Sequence, residues 1–318
     1  MPHARIVLGI GTMRRDIEFQ SEGATLRGWL YSLDDTARRR RPAVIMAHGF
    51  SATRHMTTDK YALVLLDAGF TVLLFDHRNF GASDGEPRQQ INPWIQARGY
   101  RDAISYLLDR DDINPKGIAI WGDSLSGGVA LAVAAVDKRV AALVAQVPAC
   151  GAELPPDDPD GRRFRTLADT IARGNVDPSP NEVQGPMPVV SDDQVRRPSA
   201  LQPLTAYRWF IEYGGQLGTQ WVNDVTRAQP RTPEPWQPGL CAAYVTCPTI
   251  FLVSEAEEMR NAAPMVARYA FERLRGPKEW IDLEGGHFGL LYYPSEEFAR
   301  ASSAQARFLV AHLGNLPE

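Results

Sequence analysis

A serine stands between two segments of different pattern in the stretch Gly117–Val136, GIAIWGDSLSGGVALAVAAV. The first half is β-branched and apolar, as in a buried strand, and the second half is small and apolar, as in a packed helix. A sharp turn from strand to helix exposes the hydroxyl of Ser124, while the small Gly122 and Ser126 let the two backbones pass closely. The stretch therefore predicts a serine nucleophile, with a helix N-cap as the plainer alternative.

A serine hydroxyl is a weak nucleophile until a positioned base accepts its proton, so this chemistry needs a histidine. The histidines of the chain are His3, His48, His55, His77, His287 and His312. His287 alone lies in a short loop directly after a late predicted strand, in DLEGGHFGLLYYP, where flanking glycines let the loop fold back towards the sheet edge. His287 is therefore the predicted base. Structural or surface positions are favoured for His55, His77 and His312.

The segment Gly122-Asp-Ser-Leu-Ser126 resembles the Gly-x-Ser-x-Gly nucleophile elbow of the α/β-hydrolase family, with Ser126 in place of the last glycine. Two other stretches carry the same resemblance. Gly-Gly-His-Phe around His287 is similar to the family's final histidine loop, and FDHRNFGASDG is similar to its Asp-x-Arg-Gly-x-Gly-x-Ser stretch. The nearest likeness is to the dienelactone hydrolase-like and acyl-peptidase-like branches, and it covers nearly the whole chain outside one insert.

The resemblance implies a triad whose acid follows the penultimate strand, in the chain order serine, acid, histidine. The segment FLVSEAEEMRNAAP offers Glu255, Glu257 and Glu258 at that place. Matching it to the family pattern Gly-x-x-Asp sets Ser254 on the glycine and Glu257 on the aspartate, so Glu257 is the predicted acid. Glu258 is the second choice. Glu255, or Glu153 after the preceding strand, also stays open.

The oxyanion that develops in acyl transfer needs two preorganised backbone donors. One is predicted at Leu125, whose N–H directly follows the nucleophile at a helix N-terminus. The other is expected in AHGFSA, which resembles the family's His-Gly oxyanion loop. Phe50 is the first choice there and Ser51 the second, while His48 is assigned a structural role in holding the loop.

The elements that must position these residues alternate between strands and helices. Residues 15–33 predict an antiparallel hairpin, and buried strands and amphipathic helices follow in turn. The predicted strands are 43–50, 71–76, 117–122, 141–147, 249–255 and 278–285, and the predicted helices are 58–69, 94–110, 125–136, 264–274 and 295–313. This pattern indicates a doubly wound, mostly parallel sheet of eight strands, the α/β-hydrolase fold, whose first strands run antiparallel.

A long interruption separates Cys150 from Pro248. It is rich in proline, carries the amphipathic LTAYRWFIEYGG, and is too long for a plain connection. Because the flanking strands complete one sheet, a disordered linker between two domains is disfavoured. We predict a core of residues 1–150 and 248–318 and a cap of residues 151–247 over the carboxyl edge of the sheet, where open α/β folds bind ligands. Its aromatic residues indicate an apolar or aromatic acyl substrate.

Composition argues against several other classes of protein. The 318 residues are 44% hydrophobic and 23% charged with a net charge of -4, which gives no electrostatic case for nucleic acid or an anionic membrane. No run reaches the length of a spanning helix and RIVLGIGTM lacks a signal cleavage site, so a cytoplasmic protein is expected. The three scattered cysteines indicate reduced thiols, and neither a metal nor a cofactor is expected.

The residues and the resemblance together predict a cofactor-independent serine hydrolase that cleaves a carboxylic ester, thioester or lactone through an acyl-enzyme. A carbon–carbon bond hydrolase acting on a β-diketone is the nearest alternative. A catalytically silent binding protein with the same fold is the other, because Ser126 and Glu257 replace the commoner residues. The expected partner is a small molecule, and a homo-oligomer stays open.

Overall fold

The computed structural model describes residues 5–9, 12–33, 39–174, 176, 182–314 and 316. Within these residues the regular elements are strands and short to medium helices. The strands are β1 (Arg5–Gly9), β2 (Thr12–Ser21), β3 (Ala24–Leu33), β4 (Arg41–Ala47), β5 (Thr71–Phe75), β6 (Gln90–Ile91), β7 (Ile113–Asp123), β8 (Ala142–Gln146), β9 (Val183–Met187), β10 (Val225–Ala228), β11 (Thr249–Ser254) and β12 (Lys278–Leu283). The helices are α1 (Thr58–Asp67), α2 (Pro93–Leu108), α3 (Leu125–Val136), α4 (Arg162–Arg173), α5 (Leu204–Gly214), α6 (Pro238–Cys241), α7 (Pro264–Arg273), α8 (Gly286–Gly289) and α9 (Glu296–Leu313).

The large sheet has the strand order β1-β2-β3-β5-β4-β7-β8-β11-β12. Strands β1, β2, β3 and β5 pair with one another in antiparallel fashion in that order. The pairs that follow in the sheet, from β5-β4 to β11-β12, are parallel. The predicted fold class is therefore confirmed. The sheet has one strand more than the predicted eight, because Arg5–Gly9 pairs with β2 at its outer edge. Strand β1 is recognised by its pairing with β2. A short apolar run in the sequence does not reveal that pairing.

The central strands are buried on both faces. In β4, Ala43, Ile45 and Ala47 pack into one half of the core, whereas Val44 and Met46 pack into the other half. Helices α2, α3 and α7 cover the first face, and helices α1 and α9 cover the second. A parallel strand covered on both sides has no polar face, which explains why β4 shows a continuous apolar run rather than alternation.

Local signals in the sequence define several element boundaries. The turn between β2 and β3 places Glu22 at φ 47° and Gly23 at φ 74°, which suits the primed turns that hairpins favour. Helix α2 begins after Asn92, whose side-chain oxygen accepts a hydrogen bond from the Trp94 N–H at 3.1 Å.

In the described part of the chain, no helix is both long enough and apolar enough to cross a membrane.

The segment from residue 151 to residue 247 contains α4, β9, α5, β10 and α6. Strand β10 pairs in parallel with β6 of the core and antiparallel with β9, which makes a second, three-stranded sheet. Helix α5, which follows the amphipathic pattern in the sequence, buries Trp209 and Phe210, and Trp209 packs on Phe288 with ring centroids 5.5 Å apart. The assignment of residues 151–247 as a cap stays a prediction.

Strand β7 and helix α3 cross at very short range. A Cβ atom on Gly122 would collide with the backbone carbonyl of Ser126, so only glycine fits at this point of the strand. Ser126 is fully buried, and its hydroxyl donates to the carbonyl oxygen of His48 at 2.5 Å on the loop after β4. The crossing therefore joins the strand, the helix and a neighbouring loop into one packed unit.

Gly122→Ala should lower the free energy of unfolding by about 3 kcal/mol or more, because the added methyl group meets backbone that cannot rotate away. Gly99→Ala is the matched control. A Cβ there would lie 3.3 Å from the flexible end of Leu26, and the helical position gains propensity, so a change within about 1 kcal/mol is expected. Denaturant unfolding measures the free energy of unfolding of both variants. Equal values for the two variants would contradict the close crossing of β7 and α3.

Candidate active site

Three side chains from three loops at the carboxyl edge of the sheet form a chain of hydrogen bonds. The Oγ atom of Ser124 lies 2.9 Å from Nε2 of His287, and Nδ1 of His287 lies 2.7 Å from Oε2 of Glu257. The side chains of His287 and Glu257 are only 2% and 1% exposed. The structure thus brings together the residues that the sequence analysis selected as nucleophile, base and acid.

Ser124 occupies the turn between β7 and α3 with φ 53° and ψ -116°. A non-glycine residue with positive φ costs about 1–3 kcal/mol and persists only where its surroundings fix it. Here the Ser124 N–H donates to Gln146 O at 2.8 Å, and the Ser124 carbonyl accepts from the Ala149 N–H at 2.9 Å. Its side chain makes no capping hydrogen bond to α3, so the hydroxyl is left for His287 rather than for the helix.

The loop that carries His287 turns through two glycines. Gly285 and Gly286 have φ of 81° and 73°, the left-handed region that side chains rarely adopt. A Cβ on Gly286 would also lie 2.6 Å from a carboxylate oxygen of Glu258. These glycines let the chain fold back over the sheet edge, and the short helix α8 then presents the imidazole to Ser124.

The two neighbouring glutamates hold different parts of His287. Glu257 accepts a hydrogen bond at the imidazole Nδ1, and its other oxygen accepts from the Met259 N–H at 2.7 Å. Glu258 accepts from the backbone N–H of His287 at 2.8 Å and from the Thr205 hydroxyl at 2.5 Å. Glu257 therefore orients the ring, whereas Glu258 orients the loop.

The remaining carboxylates that the sequence left open lie elsewhere. Glu255 is exposed and lies 3.9 Å from the Arg268 guanidinium, and Glu153 is exposed as well. Neither has a hydrogen bond to His287 among the residues that the structure describes.

The electrostatics of the site favour a basic imidazole. Burial by itself lowers the pKa of His287, but the hydrogen bond and the charge of Glu257, assisted by Asp123 and Glu258, outweigh it and raise that pKa above its ordinary value. Burial also raises the pKa of Asp123 to about 6, against the opposing charge of His287 and a hydrogen bond from Gln146. The buried imidazolium is thus compensated by acidic neighbours.

Both predicted oxyanion donors border the same cavity as Ser124. Phe50 and Leu125 line it, and within the described residues neither backbone N–H has a hydrogen-bond acceptor. Leu125 is the first residue of α3, where N–H groups lack intrahelical partners. Ser51, the second choice, has φ 52° and a buried hydroxyl.

The cavity at Ser124 has a volume of about 760 Å³. Phe50, Trp209, Phe210 and Phe288 contribute aromatic rings to its wall. Charged side chains line it too, and they include Asp123 and Arg227 in addition to Glu258. The sequence analysis passed over Asp123, although an ionisable residue at the end of a buried strand is itself a signal. Nothing in the local pattern around Arg227 marked it.

The four other histidines of the described chain are buried or pack against aromatic side chains. His48 and His77 are buried, and burial lowers the pKa of both rings. The Nε2 atom of His77 lies 2.7 Å from the Ser126 hydroxyl. The rings of His55 and His312 pack on Trp29 and Phe308, with centroids 4.5 Å and 4.6 Å apart. His3 lies outside the described residues.

The described chain has neither a cluster of metal ligands nor an exposed cysteine. In the part of the chain that the structure describes, no group of three or more histidine, cysteine, aspartate or glutamate side chains could hold a metal ion. Cys150, Cys241 and Cys247 are free thiols, and burial raises the pKa of each. Such thiols are poor nucleophiles, and none of the three lines the cavity at Ser124.

Comparison with known proteins identifies the family of the chain. Residues 42–174 match the sequence model of a family described as alpha/beta hydrolase fold. The chain is 30% identical over 302 residues to the thiohydrolase apmlB of Arthrinium phaeospermum, with 92% of this chain and 95% of that protein covered. It is 43% identical to the polyketide transferase grgF of Penicillium sp over 136 residues, which cover 42% of this chain and only 45% of that relative's length.

A solved structure resembles the whole chain. The crystal structure of the alpha/beta hydrolase GrgF from Penicillium sp. sh18 has a TM-score of 0.69 and 28% sequence identity, and it covers 95% of this chain and 99% of that chain. The acetyl xylan esterase from Paenibacillus sp. R4 has a TM-score of 0.61 at 16% identity, with 98% of this chain and 88% of that chain covered, which shows the fold alone.

A fluorophosphonate should label the wild-type protein once, at Ser124, because an activated serine attacks the phosphorus while other hydroxyls do not. Ser124→Ala and His287→Ala should both abolish the adduct, and His312→Ala, which removes a histidine remote from Ser124, should retain it. Intact-mass measurement followed by peptide mapping tests this. An adduct on another residue, or none on folded wild-type protein, would overturn the assignment.

Glu257→Gln should lower kcat/KM by about 1,000-fold or more, since the imidazolium loses its charged partner. The general base works only when neutral, so activity falls as pH drops through the pKa of His287. Loss of the Glu257 charge leaves burial dominant and lowers this pKa, so the acidic limb of the profile should move to lower pH.

Glu258→Gln is the matched control for that variant. It keeps the Nδ1 partner of His287, so a loss within about tenfold and a smaller shift of the acidic limb are expected. Profiles of kcat/KM against pH for both variants provide the measurement. The opposite order of effects would assign the acid to Glu258.

Proposed function

Because the chain belongs to the α/β-hydrolase family, we propose that it is a serine hydrolase that cleaves a carboxylic ester, thioester or lactone through an acyl-enzyme on Ser124. The observation that carries the proposal is the continuous hydrogen-bond chain from Ser124 through His287 to Glu257, which opens on a cavity of about 760 Å³. A serine with a base and an orienting acid, beside unused backbone donors, is the arrangement that acyl transfer needs.

Acylation begins when Nε2 of His287 accepts the hydroxyl proton as Oγ of Ser124 bonds to the substrate carbonyl carbon. The carbonyl oxygen becomes an oxyanion, for which the N–H groups of Phe50 and Leu125 are the proposed donors. The intermediate collapses with cleavage of the bond to the leaving group. The imidazolium returns its proton to the leaving alkoxide or thiolate, and Glu257 stabilises the imidazolium while it exists.

Deacylation repeats these steps with a water molecule. His287 accepts a proton from water as the oxygen attacks the acyl carbon, and the same donors hold the second oxyanion. The bond to Oγ of Ser124 then breaks, His287 returns the proton to Oγ, and a carboxylic acid leaves. The raised pKa of His287 suits both steps, because the ring must accept and then release one proton in each.

Hydrolysis and acyl transfer share this acyl-enzyme and differ in the second nucleophile. The names of the relatives include both a thiohydrolase, at 30% identity over 302 residues, and a polyketide transferase, at 43% identity over 136 residues. Transfer to an alcohol or amine is therefore the second candidate function. The same names favour an enzyme acting on ester-type bonds over a catalytically silent binding protein.

Residues 151–247 act in this proposal as a cap on the site. Support comes from Trp209 and Phe210 of α5 and from Arg227 of β10, which line the cavity together with Ser124. The aromatic rings fit an apolar or aromatic acyl group. We also retain the predictions of a cytoplasmic location and of catalysis without a metal or cofactor.

A common acyl-enzyme makes a sharp prediction for two donors with the same acyl group. 4-Nitrophenyl butyrate and S-phenyl thiobutyrate, each assayed with a fixed concentration of butylamine, should give one ratio of butyric acid to N-butylbutyramide, since both form the same intermediate. Product analysis measures the ratio, with Ser124→Ala as the inactive control. Different ratios would exclude the shared intermediate.

Cleavage of nonane-2,4-dione but of neither ester would favour the carbon–carbon bond hydrolase.

A further inference from the structure

Of the arginines that border the cavity, Arg227 is partly buried and has no acidic partner among the described residues. Arg227 lies on β10, where it pairs with Ile91 of β6 and with Gln184 of β9, so that strands on both sides fix its backbone. Its guanidinium carbon lies 5.0 Å from the centre of the Phe50 ring, on the loop that carries a proposed oxyanion donor. The half-buried guanidinium therefore stands beside the reaction site.

The hydrogen bonds of Arg227 are incomplete. Nη2 donates to the Ala200 carbonyl oxygen at 2.8 Å, whereas Nε is buried and has no acceptor among the described residues. No carboxylate of the described chain forms an ion pair with this guanidinium, and burial lowers its pKa. An arginine stays charged in proteins, so its positive charge is partly desolvated with no negative charge of the described chain to neutralise it.

Some buried or partly buried arginines of this protein have acidic partners. Arg54 lies 2.5 Å from Asp76, and Arg101 lies 3.2 Å from Asp137. The acidic side chains in the cavity wall are already engaged: Asp123 accepts from Gln146, and Glu258 accepts from Thr205 and from the His287 N–H. No acidic side chain of the described cavity wall is therefore left to pair with Arg227, and a ligand with an anionic group would supply the missing partner.

We propose that Arg227 binds a carboxylate of the substrate, so that the preferred substrate is an ester or thioester with an aromatic or aliphatic body and one carboxylate. The proposal rests on the hydrolase function of the same site. A planar guanidinium with free N–H groups matches the geometry of a carboxylate, while the rings of Trp209, Phe210 and Phe288 contact the apolar body. The carboxylate belongs either to the acyl chain or to the leaving group.

Two pairs of esters locate the carboxylate. The acyl pair is mono(4-nitrophenyl) adipate and its neutral methyl ester, and the leaving-group pair is 4-carboxyphenyl hexanoate and 4-carbamoylphenyl hexanoate. In one pair the wild type should prefer the anionic ester by about tenfold or more in kcat/KM, which is typical of a charge-assisted hydrogen bond. Arg227→Gln should abolish the preference, and Arg227→Lys should retain part of it.

Arg260→Gln is the matched control, because Arg260 also lines the cavity but is exposed. It removes the same charge and should leave the preference within about twofold of the wild-type ratio. An equal loss of the preference for the anionic ester in Arg227→Gln and Arg260→Gln would indicate a general effect of positive charge and would overturn the proposal of a specific site at Arg227. Absence of any preference in the wild type, or its survival in Arg227→Gln, would overturn the proposal as well.

Binding measured without turnover separates this inference from the proposed function. Titration calorimetry should show that the wild type binds 4-phenylbutyrate about tenfold or more tightly than 4-phenylbutyramide, and that Arg227→Gln binds both alike. If no ester is hydrolysed, the hydrolase function fails while the titration still decides the role of Arg227. If the wild type hydrolyses the esters but binds 4-phenylbutyrate and 4-phenylbutyramide equally, only the Arg227 proposal fails. This outcome is measured on the wild type, so it does not depend on whether the Arg227 variant folds.

Discussion

The close crossing of β7 and α3 is the constraint on which the rest of the site depends. With no side chain at Gly122, the helix begins in contact with the strand, and Ser124 is held at φ 53° between them. Hydrogen bonds to Gln146 and Ala149 tie this strained turn to the neighbouring strand β8 and the residues after it. Because the parallel strands end at one edge of the sheet, the loops after β11 and β12 deliver Glu257 and His287 to the same turn.

The second constraint is electrostatic. A fully buried histidine would lose its basicity, as the lowered pKa values of His48 and His77 illustrate in the same protein. His287 differs because Glu257 contacts its Nδ1 and because Asp123 and Glu258 add negative charge nearby. Burial alone therefore lowers the pKa of His48 and His77, whereas the carboxylates around His287 raise the pKa of that equally buried ring beside Ser124.

Elements with strong local patterns could be predicted closely. Helix α3 begins and ends where its small apolar residues indicate, and the turn that it follows contains Ser124. Strand β1 and strands β9 and β10 were missed, because each depends on a partner that is distant in the sequence or on an edge. The distinction between Glu257 and Glu258 depends on a turn in which the Glu257 side chain accepts a hydrogen bond from the Met259 N–H, and adjacent identical residue types carry no signal of that turn.

The position of Arg227 shows why substrate recognition is harder to infer from sequence than the reaction type. Ser124, Glu257 and His287 each follow a strand of one sheet, so their order and spacing are bound to the fold. Arg227 lies in the connecting segment, where its contact with Phe50 depends on the pairing of β10 with β6. Fold and chemistry can therefore be shared among relatives while the residues that meet the substrate vary independently. In this chain, Phe50 connects the two regions, because it borders the same cavity as Ser124 and its ring lies 5.0 Å from the guanidinium carbon of Arg227.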